Sequence, residues 1–96
     1  MKRVITIDGK TTLKPRKELK WFIGVQEQKL RKVDDKRHWS LVPDGYLLKR
    51  LKEEVIELEQ ALDTRARGYD RQAEILSECA DVANFAMMIA DKQRYC

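Results

Sequence analysis

Four carboxylates stand at two helical intervals, Glu54 with Glu57 and Glu78 with Asp81. The members of each pair are three positions apart, so on a helix their side chains leave nearly the same face and lie side by side. Like charges so placed repel by roughly 0.2–0.5 kcal/mol, a small cost for one pair on a solvated face. Here both pairs border apolar seams, with Leu51, Val55, Leu58 and Leu62 beside the first and Ile75, Cys79, Val82, Ala83 and Ala86 beside the second. If the seams pack together, four carboxylates converge, which is unfavourable unless protons or cations neutralise them. Hard oxygen donors select Mg²⁺, Mn²⁺ or Ca²⁺. The residues therefore predict a divalent-cation site built from Glu54, Glu57, Glu78 and Asp81. A di-iron bundle would place a His three residues after a Glu. No Glu here is so followed, and the single histidine, His38, falls between helices.

The elements that must position these groups are helical. Two prolines and four glycines in 96 residues, with 38% charged and 7% aromatic residues, favour long helices over a turn-rich sheet. Pro15 suits a first helical turn, and Leu19, Phe22, Ile23, Gln26, Leu30 and Val33 then recur at three and four, predicting an amphipathic helix to about Lys36. Lys36-Arg37-His38-Trp39 reads as a basic, aromatic connector. Asp44 is the expected N-cap of a second helix over 45–67, with Leu47, Leu48, Leu51, Val55, Leu58 and Leu62 as its stripe. Gly68 fits the stop, Asp70 the next cap, and a third helix follows over 71–94. Residues 1–14 alternate weakly around Asp8-Gly9, giving an N-terminal arm or short hairpin before a domain at 15–96. The fold class is all-α: about three helices per chain, in a bundle completed by a dimer or tetramer, because so short a chain buries little surface alone.

The formal charge of +4 conceals an asymmetry: residues 1–50 hold fourteen Lys/Arg against six Asp/Glu, and residues 51–96 hold six against ten. An acidic half that binds cations and a basic half that meets phosphates would follow. Cys79 sits on an apolar seam and Cys96 at the last position, without framework spacing, as expected of a reduced, cytoplasmic chain. No apolar run approaches the ~18 residues of a membrane span.

The run Glu53-Glu54-Val55-Ile56-Glu57, followed about twenty residues later by Glu78-Cys79-Ala80-Asp81, resembles the EExxE…ExxD signature of the MazG-like, all-alpha NTP pyrophosphatases. The similarity extends over about Trp21 to Asp91. It implies that Glu54, Glu57, Glu78 and Asp81 bind Mg²⁺, or Mn²⁺ in its place, and that the metal bridges nucleotide phosphates. It further implies hydrolysis of a nucleoside triphosphate to the monophosphate and pyrophosphate, in nucleotide-pool cleaning.

Glu53, about 100° around the helix from Glu54, would complete a second metal position or orient the attacking water, or simply face solvent. Glu53, Glu54 and Glu57 are thus the candidate catalytic carboxylates, and Glu59 points away. Trp39 and Trp21 could stack a base or anchor the core, and Trp39 is the stronger candidate. Lys29, Lys32, Lys36 and Arg37 are candidate phosphate contacts. Asn84, one turn beyond Asp81, would bond a ligand or a neighbouring carboxylate, or hold the fold. Two other functions fit parts of the pattern: a phosphoribosyl-ATP pyrophosphohydrolase, and a basic helical dimer binding nucleic acid or a partner protein. The second leaves the carboxylate pairs unexplained, so nucleic acid is the less expected partner.

Overall fold

The computed structural model describes residues 13–32, 38–63 and 69–94. They form three α-helices, α1 Lys17–Arg31, α2 Asp44–Asp63 and α3 Tyr69–Gln93, with a 3-10 turn at Trp39–Leu41 and no strand among the described residues. The all-helical class read from composition and periodicity is the class observed. No helix is long and apolar enough to cross a membrane among the described residues. The expected arm or hairpin lies almost wholly outside the described residues, as do Val33, Lys36, Arg37, Gly68 and Cys96.

Helix starts differ from expectation by one or two residues, for local reasons. Pro15 precedes α1 rather than opening it: Arg16 is still extended (φ −64°, ψ 158°), and its carbonyl accepts the first helical bonds from the Leu19 and Lys20 amides at 3.1 and 3.2 Å. At α2 the first carbonyl is that of Pro43, which accepts from the Tyr46 and Leu47 amides at 3.1 and 3.2 Å. Asp44 therefore sits inside the first turn instead of capping it, where its charge suits the positive end of the helix dipole. Its carboxylate meets Lys92 Nζ at 2.6 Å. Asp70 likewise lies within α3, one residue past its start.

α3 is the axis of the molecule. Lys92 near its end fastens the start of α2 through Asp44 and the Val42 carbonyl, and Arg71 near its beginning donates to the Leu62 carbonyl at 3.0 Å, so α2 runs antiparallel to it. α1 is antiparallel too, since Gln26 bonds Asn84 while Lys29, further along α1, reaches Ser77, earlier along α3. α1 and α2 each pack on α3 and not on one another. The space between them is a cleft of about 310 Å³ floored by α3.

Burial is sparse. The buried apolar side chains among the described residues are Leu47, Ala61 and Ala80. On α1 the expected stripe is only partly used: Phe22, Gln26 and Leu30 are half-buried, whereas Leu19 and Ile23 are exposed. α1 leans on a single neighbour, which can cover only one narrow side of a helix.

Candidate metal centre

Leu47, Glu54 and Ala61 are spaced by seven residues, which returns a helix to nearly the same face. That face of α2 meets α3, so Glu54 holds a core position between two buried apolar residues and is itself only 5% exposed. A carboxylate there must find protons, partners or a cation, since an isolated buried charge is costly. What it finds is one guanidinium, Arg50 at 3.4 Å, and more carboxylate. One oxygen from each of Glu54, Glu78 and Asp81 lies within 4.8 Å of the others. Burial, then hydrogen bonding and charge from Glu57 and Asp81, push the Glu54 carboxyl from its ordinary 4.5 up to about 7. Burial, followed by the charges of Glu57 and Asp81, raises Glu78 as well.

The Glu78 Oε2 atom is buried with no hydrogen-bond partner. Buried polar atoms nearly always have one, so an orphaned oxygen inside an acidic cluster fits a donor to a hard cation. The spacing agrees. Oxygen donors stand about 2.1 Å from Mg²⁺ and about 2.3–2.6 Å from Ca²⁺, so three oxygens within 4.8 Å of one another would have to draw together by up to about 1 Å each to hold either ion.

Of the four expected ligands, the structure brings together Glu54, Glu78 and Asp81. Glu57 is exposed and stands outside that group, close enough to Glu54 to share a hydrogen bond with it. Glu53 is half-buried on the neighbouring flank and paired with Arg50. Glu59 faces solvent.

Cations stand on both sides of the cluster. From α1, Lys29 Nζ lies 3.3 Å from Asp81 Oδ2 and donates to Ser77 Oγ at 2.6 Å. From α2, Arg50 pairs with Glu53, approaches Glu54 Oε2 at 3.4 Å and lies over the Phe85 ring at 5.2 Å. Arg50, Ser77 and Phe85 were not singled out from sequence. Arg50 was accessible there, being one helical turn before both Glu53 and Glu54, whereas the contacts of Ser77 and Phe85 depend on the packing of α1 and α2 against α3. Lys32 also lines the cleft, with Leu30 and Met88 supplying apolar wall.

Two expected substrate contacts have other occupations. Asn84 is 4% exposed and forms a reciprocal brace, accepting from Gln26 Nε2 at 3.0 Å and donating to the Gln26 carbonyl at 3.2 Å. Trp39 donates its indole N–H to Asp91 Oδ2 at 3.0 Å, with His38 against its ring at 4.2 Å. Asp91 is ten residues beyond Asp81, about 15 Å along α3, so Trp39 is anchored well away from the carboxylates. Trp21 is exposed on α1, and Lys36 lies outside the described residues. Comparison of the chain with family models, curated proteins and solved structures finds no match.

Proposed function

We propose that the chain is a Mg²⁺-dependent nucleoside triphosphate pyrophosphohydrolase, with Mn²⁺ as a substitute metal. The observation that carries the reading is the buried Glu54 converging with Glu78, whose Oε2 is orphaned, and with Asp81. The motif likeness to the MazG-like enzymes supplies the reaction. Glu54, Glu78 and Asp81 hold the cation. When bound, the cation neutralises negative charge on phosphate oxygens. Lys29 and Lys32 from one wall and Arg50 from the other give the phosphates positive partners across the cleft. Glu57, exposed beside Glu54, takes a proton from the attacking water. Water adds at phosphorus, the bond between the α and β phosphates breaks, and nucleoside monophosphate and pyrophosphate leave. Asn84 acts through the Gln26 brace, holding α1 and its Lys29 over the site.

The chain works as a homo-oligomer, a dimer or tetramer. Support comes from the shortage of core: Leu47, Ala61 and Ala80 are buried while Leu48, Val55 and Leu62 are open to solvent.

Release of pyrophosphate from canonical and modified NTPs and dNTPs, measured with Mg²⁺ and with chelator, tests the activity. Metal-dependent release is expected. Its absence across the panel would remove the enzymatic reading, whatever the metal affinity proves to be.

A further inference from the structure

α2 carries a second apolar seam that α3 does not cover. Leu48, Leu51, Val55, Leu58 and Leu62 follow one another at intervals of three, four, three and four, the spacing of core positions in a coiled coil. Leu48, Val55 and Leu62 are 44%, 47% and 53% exposed, and Leu51 and Leu58 are half-buried, shared with the face that meets α3. At 100° per residue this seam lies on the flank of α2 opposite Arg50 and Glu57, so it faces away from the cleft. It is about 21 Å long.

The charges bordering it select its partner. Lys52 and Glu59 are both exposed and sit seven residues apart along the outer edge of the seam. They are about 10 Å apart along their own helix, too far to pair with each other. Edge positions of this kind set partner choice and orientation in paired helices, and in an antiparallel pair each edge meets its own copy running the other way. A two-fold axis near Val55 and Ile56 would bring Lys52 beside the partner's Glu59, and repeat the contact by symmetry. A parallel pair would not make this match.

We propose that α2 pairs with α2 of a second copy of this chain, antiparallel and isologous, through Leu48, Leu51, Val55, Leu58 and Leu62, with Lys52 paired to the partner's Glu59. The proposal rests on the homo-oligomer part of the reading above and not on its chemistry. The carboxylate clefts then open on the outer sides of the assembly, away from the α2 pair.

Charge reversal with sedimentation equilibrium tests it, because Lys52, Val55 and Glu59 are exposed within one chain and their replacement leaves its core alone. Lys52→Glu and Glu59→Lys should each weaken association ~10-fold or more, by turning two attractive contacts repulsive. The double variant should restore it to near the wild-type value. Val55→Glu should weaken association by ~100-fold or more, halving the assembled mass. Circular dichroism of each variant confirms that the helices persist. A wild-type chain that is monomeric at micromolar concentration would overturn both the seam and the homo-oligomer reading. An assembled wild type indifferent to Val55→Glu would overturn the seam alone. Single reversals that weaken association without rescue by the double would overturn the antiparallel arrangement.

Discussion

Glu54 spans the two behaviours expected of a carboxyl, being charged in water and held near neutrality in the fold. Its folded value of about 7 exceeds its ordinary 4.5, so the native chain retains a proton that the unfolded chain gives up. Stability from this group is therefore fully present below about pH 4.5 and is lost as pH rises through 7, with a ceiling of roughly 3 kcal/mol. Glu78 adds in the same sense. Asp44 and Asp91 act oppositely: hydrogen bonds, from Lys92 and Gln93 to the first and from Trp39 and Arg94 to the second, hold their carboxyls below 3.8, so their contribution is lost as pH falls under that value. The chelated protein should thus melt highest near pH 4 to 5 and lower toward pH 8, a profile that thermal scans across this range would check. Glu54→Gln should flatten the alkaline decline and raise stability at pH 8 by about 1–3 kcal/mol, while removing most NTP turnover. Glu18→Gln, on the exposed first turn of α1, should alter neither by more than ~0.5 kcal/mol. If Glu54→Gln instead lowered the melting temperature at pH 8, Glu54 would be a structural partner of Arg50 rather than a cation ligand.

At the scale of the helices, much was legible before any coordinates. Periodicity located α1, α2 and α3, and the spacing of Glu54, Glu78 and Asp81 placed them on the meeting faces of two of them. The sequence did not say that Glu54 would be buried and Glu57 exposed, because both border the same apolar stripe and only the angle at which α3 arrives chooses between them. For the same reason Asn84 could not be assigned: it shares a flank with Asp81, and its partner Gln26 lies 58 residues away. Trp39 stayed open between two roles, since an indole is equally suited to a base and to the half-buried edge of a turn, and its bond to Asp91 depends on the packing of that turn on α3. The brace gives a test. Asn84→Ala strands the Gln26 amide and carbonyl and should cost about 1–3 kcal/mol by chemical denaturation. It should also reduce turnover by loosening Lys29, and Asn84→Asp, which keeps the acceptor for Gln26 Nε2 but buries a carboxylate against the Gln26 carbonyl, should lose at least as much.

The whole molecule should be most stable when its acidic centre is filled. A ligand that binds only the native chain stabilises it by about 2.7 kcal/mol at a hundred times its dissociation constant. Millimolar Mg²⁺ or Mn²⁺ is therefore expected to raise the melting temperature above that in chelator, most clearly at pH 8. An unchanged melting temperature at that pH would argue against the cation site. α1 contributes differently. It has no buried residue, and its named side-chain links to α3 are the Gln26–Asn84 brace and the reach of Lys29 to Ser77 and Asp81. Helices so thinly attached open locally long before the chain unfolds. Amide hydrogens of α1 should exchange with deuterated water well ahead of those at Leu47, Ala61 and Ala80, and their protection should track the Asn84 brace. Each such opening would remove one wall of the cleft together with its lysines, so an anion held between the walls would lose its partners on that side at every opening.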